Sequence, residues 1–162
     1  MPEASVPTAP SSALTQSASM AYPKQGPVLA FDYGLKHTGV AIGDLGTGIC
    51  RSLGTITALT REARSTAIKR LLKEWEPVML VVGLALDADG AEQESTRRCR
   101  NFATELASTT GLPTALVDER YTSLEADSLL REQGLRAQDR AAAEHGAAAA
   151  IILHSYLESH PL

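Results

Sequence analysis

Two short apolar runs, Val28 to Phe31 and Thr38 to Ile42, flank a polar link that opens on Asp32 and contains Gly34. No other stretch limits the possible folds as much. A run of this length reads as a buried strand. Two such runs joined by a short, glycine-bearing link read as a hairpin. Asp32 then stands at the end of an inner strand, where a carboxylate is costly unless a metal, a cation or water meets it. Gly34 is expected to let a phosphate or a metal approach the backbone. The plainer alternative is that Asp32 only caps a turn.

The rest of the chain supplies elements to pack around this hairpin. Residues near 50 to 57 alternate loosely and predict a third strand of a meander. Thr60 opens a helix whose apolar residues, Ala63, Ala67, Ile68, Leu71, Leu72 and Trp75, recur at helical spacing, and Pro77 stops it. Val78 to Val82 is apolar throughout, as suits a parallel strand covered on both faces. It runs into a loop carrying Asp87 and Asp89. A helix over about 91–110 buries Cys99, Phe102, Ala103 and Leu106 and ends at Gly111, with Pro113 beyond. Its Arg97, Arg98 and Arg100 form either a solvated face or a phosphate contact. Thr114 to Val117 is another buried strand and leads into Asp118, Glu119 and Arg120. Thr122 and Glu125 have capping-box spacing for a helix ending near Gly134. A polar loop over 134–141 and a last, alanine-rich helix over about 142–158 complete the chain.

The order is β-β-β-α-β-α-β-α-α, an α/β fold with a mixed five-stranded sheet and helices on both faces. Right-handed crossovers place the fourth strand beside the first. The ends of strands one, four and five then share one edge, with Asp32, the 87–89 loop and Glu119 on it. Open sheets of this kind bind ligands there.

Composition separates a tail from a domain. Residues 1–26 hold four of the eight prolines, much serine and alanine, and only Glu3 and Lys24 as charges. Such a segment is expected to be a disordered tail, with one domain over 27–162. It has neither the basic start nor the apolar centre of a secretory signal. The net charge of -4 excludes a basic field over the whole surface and leaves room for a local patch. The two cysteines, Cys50 and Cys99, form no metal motif and read as free core thiols of a cytoplasmic protein. No stretch has the ~18 apolar residues of a membrane span.

Carboxylates that converge from separate strand ends repel one another, and a divalent ion removes that cost. Mg²⁺ prefers oxygen ligands and keeps several waters, so two or three carboxylates suffice. Such ions support phosphodiester cleavage.

Four motifs carry a family resemblance. Phe31-Asp32-Tyr33-Gly34-Leu35-Lys36 with Gly39-Val40-Ala41 resembles the opening motif of the YqgF (RuvX) family. Val82 to Gly90 is similar to its second motif, Asp118 to Ala126 to its third, and Ile151 to Leu157 to its closing helix. The resemblance spans about 28–158, in order and at the family's spacing. It implies an RNase H-like fold and a nuclease that uses Mg²⁺ or Mn²⁺ in 5′ processing of the pre-16S ribosomal RNA. It implies cleavage of branched DNA as the alternative. The implied partners are nucleic acid and the small ribosomal subunit. A non-catalytic RNA-binding role in ribosome assembly is the rival from another class, favoured by the net acidity. A sugar-kinase or actin-like half ranks last, because 162 residues supply one lobe rather than two.

Carried over residue by residue, the resemblance makes Asp32 and Glu119 the catalytic and metal-binding acids, with Asp118 the weaker candidate for the second. The family's third acid falls on His145, a departure, with Glu144 beside it as the alternative. Arg120, Lys36 and Arg97 are the expected substrate contacts. His37 stands where the family commonly has arginine, and Ala85 where it commonly has proline.

Overall fold

Side-chain alternation along the inner strands decides which helix packs where. The computed structural model of the chain describes residues 22–87, 89–119 and 137–159, with side chains from 145 onward in the last segment. Strand β1 (Pro27–Asp32) lies at the centre of a five-stranded sheet of order β3-β2-β1-β4-β5. It pairs antiparallel with β2 (His37–Asp44), which pairs antiparallel with β3 (Cys50–Thr57). On its other side it pairs parallel with β4 (Met79–Leu84), which pairs parallel with β5 (Thr114–Asp118). The sheet is mixed, and the fourth strand lies beside the first, as the sequence predicts.

Successive side chains on a strand point to opposite faces. Val28 and Ala30 join Met79, Val81 and Ala115 beneath helix α3 (Ala137–Ser159), whose Ala149, Ile152, Leu153 and Tyr156 complete that layer. Leu29 and Phe31 join Val40, Leu80 and Val82 beneath helices α1 (Arg61–Trp75) and α2 (Glu94–Thr110), which contribute Ile68, Phe102, Ala103 and Leu106. Helices therefore cover both faces. The Asp32 side chain follows Val28 and Ala30 toward α3, and Tyr33 follows Leu29 and Phe31 toward α1 and α2.

The helix ends obey the sequence signals. Thr60 caps α1 by accepting from Ala63 N at 3.1 Å. Gly111 ends α2 in the left-handed region, φ 72°. At the start of α2, buried Thr96 accepts from Gln93 N at 2.9 Å and donates to the Ala85 carbonyl, tying this helix to the end of β4.

Two boundaries move. Backbone over 137–141, expected as loop, is already helical, because the alanines there favour continuation of α3. Residues 22–26, placed with the tail on composition, pack on the domain. Tyr22 contacts the core under α3, meets Tyr156 edge-to-face at 6.4 Å, and donates to the Thr114 carbonyl at 3.3 Å. Gly26 accepts from Leu45 N at 2.9 Å. One aromatic ring outweighed the proline-rich composition around it. The expected helix over 122–134 and the tail before residue 22 lie outside the described residues. Among the described residues no helix is long and apolar enough to cross a membrane.

Tyr22→Ala removes an aromatic edge contact and a hydrogen bond. It should destabilise the protein by about 1–2 kcal/mol in urea unfolding. An unchanged midpoint would return Tyr22 to the tail.

Candidate active site

The site begins where β1 runs out. Asp32 is the last residue of that strand, in register with Gly39 of β2, and its side chain is 17% exposed. Glu119 follows β5 directly, and its N–H donates to the Leu84 carbonyl at 3.2 Å, which extends the β4–β5 ladder by one residue. Its carboxyl is hydrogen-bonded to that of Asp32. Space for it comes from Gly83. A Cβ on that residue would lie 2.4 Å from Glu119 Oε2 and 2.5 Å from Ile152 Cδ1.

Burial pushes the Glu119 carboxyl up to about 9, with the Asp32 charge, the hydrogen bond to Asp32 and the Asp118 charge adding to it. The Glu119 carboxyl is therefore much more readily protonated than an ordinary one. Asp118 points the other way on the strand and is exposed. The fold therefore brings Glu119, rather than Asp118, to Asp32.

His145 arrives from the opposite layer. Its Nδ1 lies 3.6 Å from Asp32 Oδ2. The cause is backbone contact: a Cβ on Gly39 would fall 1.8 Å from the His145 carbonyl oxygen. Only glycine lets α3 come down at that point, directly opposite Asp32 in the hairpin register. The His37 ring stacks on His145 at 5.4 Å and 28°, and its Nδ1 is 3.1 Å from Thr57 Oγ1. His37 thus braces the His145 ring.

Other expected residues fall elsewhere. Lys36 is exposed in the hairpin link, and Arg97 is exposed on α2. Arg98 and Arg100 are in ion pairs with Glu94 and Glu92, each at 2.6 Å, which fits the solvated-face reading. Asp87 serves its own loop. It accepts from Asp89 N at 2.9 Å and Ala91 N at 2.8 Å, and these bonds hold its carboxyl below the usual range. Gly34, expected to admit a phosphate or metal, has a local reason instead: a Cβ there would meet the His37 carbonyl oxygen at 2.4 Å. Arg120 and the Glu144 side chain lie outside the described residues.

Gly39 and Gly83 were not singled out as site residues from the sequence. Each interrupts an apolar strand run, and a glycine in a strand interior signals close approach of another group. That was the available clue.

The donors suit a hard divalent ion. Two partly buried carboxyls lie against each other, so a cation between them would cancel their repulsion. Among the described residues no three His, Cys, Asp or Glu side chains form a closed ligand set. An ion that keeps most of its waters needs only one or two carboxylates, and Asp32 with Glu119 supplies them.

The sequence matches the family described as "RuvX: Holliday junction resolvase" over residues 26–159. The chain belongs to the RuvX family. A relative from Nitrosospira multiformis, named "Putative pre-16S rRNA nuclease", is 46% identical over 136 residues, 84% of this chain and 90% of that protein. One of the same name from Bordetella petrii is 48% identical over 83% of this chain and 96% of its own. In fold, the chain is similar to T. thermophilus RuvC, solved with a Holliday junction substrate: TM-score 0.52, 18% identity, 82% of this chain and 94% of that one. A Fowlpox virus resolvase, also solved with junction DNA, gives 0.50 at 11% identity, covering 82% and 97%. The RNase H-like fold implied by the RuvX motifs is thus the fold of the molecule.

Two outcomes test this geometry. Gly39→Ala forces α3 off the sheet and should cost about 2–3 kcal/mol, read as a lower urea midpoint. Glu119 carries its proton to about pH 9 when folded but has an ordinary value of 4.5. The folded protein therefore binds more protons across that window, and stability falls as pH rises through it. Without divalent ions, the melting temperature of wild type should drop between about pH 5 and 9, and Glu119→Gln should flatten the profile. A wild-type profile that rises over this range would contradict the assignment.

Proposed function

We propose that this protein is a metal-dependent nuclease that trims the pre-16S ribosomal RNA in the cytoplasm, acting on the precursor with the small ribosomal subunit. The observation that carries the reading is the Asp32–Glu119 carboxyl pair at the ends of neighbouring strands, hydrogen-bonded and partly buried. The fold could remove the mutual repulsion with a neutral residue. It keeps two acids, an arrangement that suits a divalent ion. The family, and the names of relatives nearly half identical over most of their length, support the substrate class.

Asp32 and Glu119 would hold Mg²⁺ or Mn²⁺; His145, beside Asp32, is the expected third donor, though the three side chains do not form a ligand set as they stand. When bound there, such an ion supplies a nucleophilic water at neutral pH and charge for the leaving oxygen. The protein's own contributions are visible in the geometry. Gly83 sets the depth of the Glu119 carboxyl, Gly39 sets the height of α3, and His37 fixes the plane of His145. Glu119 would hold such an ion as its carboxylate, so ion binding should strengthen as pH rises. His145 beside Asp32 can accept a proton at Nδ1 or Nε2 in its neutral form. Lys36, Arg97 and Arg120 are the expected contacts to the substrate backbone. Branched DNA is the second substrate class, because the family description is that of a junction resolvase and nothing in the site distinguishes a ribose 2′-hydroxyl.

Precursor rRNA and a four-way DNA junction should be incubated with wild type, Asp32→Asn, Glu119→Gln and His145→Asp, in Mg²⁺ and in Mn²⁺. Asp32→Asn and Glu119→Gln should lose cleavage and retain the fold by circular dichroism. Imidazole suits Mn²⁺ better than Mg²⁺, so wild type should prefer Mn²⁺ and His145→Asp should gain Mg²⁺ activity. Wild-type rates in Asp32→Asn would end the metal-nuclease reading. Full Mg²⁺ activity in wild type, lost in Glu144→Gln, would move the third ligand to Glu144.

A further inference from the structure

Beside Asp32, on the other face of β1, lies a pocket that the catalytic pair does not use. Tyr33, Leu35, Arg61, Arg64, Arg98, Asn101, Phe102 and Glu105 line a cavity of about 450 Å³ between the hairpin link and the facing sides of α1 and α2. Its volume is within the ~300–1,000 Å³ of ordinary ligand sites. Consecutive Cα atoms are about 3.8 Å apart, so the pocket opens one residue from the proposed catalytic acid.

The lining has an uneven charge. Three arginines face one glutamate, in a chain whose net charge is -4. Arg61 is in an ion pair with Glu105, and Arg98 with Glu94. Arg64 has no carboxylate within ion-pair reach among the described residues. Its guanidinium instead lies 5.0 Å from the Tyr33 ring centroid and 5.8 Å from that of Phe102. Those two rings stack on each other at 4.6 Å and 25°. A guanidinium held against aromatic rings loses little freedom on binding and keeps its fork of N–H donors for a phosphate. At the rim, Leu35 is 62% exposed, a large apolar side chain with no core to join. Asn101 is exposed and carries both a donor and an acceptor.

We propose that this pocket holds one backbone phosphate and its nucleoside from the substrate strand, beside the scissile bond. Arg64 is the phosphate ligand, and Leu35 and Asn101 meet the base. The strand crosses the sheet edge over Asp32, with the chemistry toward α3 and this nucleotide anchored toward α1 and α2. The inference rests on the nuclease reading and adds to it a subsite whose described lining includes neither Lys36 nor Arg97.

The test is binding of fluorescein-labelled single-stranded RNA, followed by anisotropy over a range of salt concentrations, with Asp32→Asn as the common background so that nothing is cut. Arg64→Ala should weaken binding about tenfold and reduce the salt slope by about one. Asn101→Glu, at an exposed helix position that should not perturb folding, should weaken binding by a similar factor because its charge opposes the phosphate. Lys73→Ala, which removes a charge from the far end of α1, should leave affinity within twofold. Normal affinity in both Arg64→Ala and Asn101→Glu would overturn the subsite while leaving the nuclease reading intact. An equal loss in Lys73→Ala would overturn it as well, by reducing the effect to overall charge. If the Asp32→Asn protein binds neither RNA nor a DNA junction, the nucleic-acid reading fails and the subsite with it.

Discussion

Helix α3 meets the sheet backbone to backbone. A Cβ on Gly39 would sit 1.8 Å from the His145 carbonyl oxygen, and one on Gly146 would sit 2.4 Å from Ser52 Oγ and 2.9 Å from the Gly54 carbonyl oxygen. The two glycines interlock the helix with β2 and β3 at the end of the hairpin that carries Asp32. Everything on that face follows from this contact. With the helix so close, small residues are needed along it, and Ala147, Ala148 and Ala149 are buried in succession. Further along, where the contact opens, Ile152, Leu153 and Tyr156 fill the larger gap over β1, β4 and β5. The same contact brings an imidazole to within 3.6 Å of a carboxylate. Packing and chemistry share one cause.

The pairing of Asp32 with Glu119 opposes stability. Two acids are brought together where water is scarce, and burial with the neighbouring Asp32 charge raises the Glu119 carboxyl. The field of the two acids extends into the core. Cys99, buried on α2, has its thiol pushed up to about 11, first by burial, partly offset by a hydrogen bond to the Ala85 backbone, with the charges of Glu119 and Asp32 adding to the rise. Hydrophobic burial across both faces of β1 and β4 holds the acids in place, since every residue from Val28 to Phe31 and from Met79 to Val82 is fully buried. The two central strands are buried and paired on both sides, and the ends of such strands are where a constellation of this kind can be held in position.

The strands and their order were legible because alternating and continuous apolar runs are strong signals, and because crossover handedness leaves few topologies. Asp32 and Glu119 were legible as strand-end acids. Preferring Glu119 to Asp118 relied on motif resemblance, whereas the structure supplies the physical reason: alternation on β5 and the slot over Gly83. His145 was reached by counting along the closing helix, and its place is explained by Gly39, whose role needs the three-dimensional contact. Two other readings failed for local reasons. The start of α3 was hidden by polar residues, Gln138, Asp139 and Arg140, among its alanines. The packing of Tyr22 was hidden because composition averages over a segment, while one side chain in contact with Tyr156 and Thr114 decides the boundary.

An acidic chain that acts on a polyanion must concentrate its positive charge. Here the strand order does so. Asp32 and Tyr33 are consecutive, and β-pleating sends them to opposite faces, so the acids gather under α3 and the arginines of α1 and α2 gather around Tyr33 and Phe102. Attraction and chemistry are kept on separate sides of one strand. Arginines placed beside Asp32 and Glu119 would instead neutralise them and displace the ion they are suited to hold. On the two readings proposed above, the sheet edge would divide a face suited to bind phosphate directly from a face suited to bind it through a cation, and a strand crossing that edge would meet both.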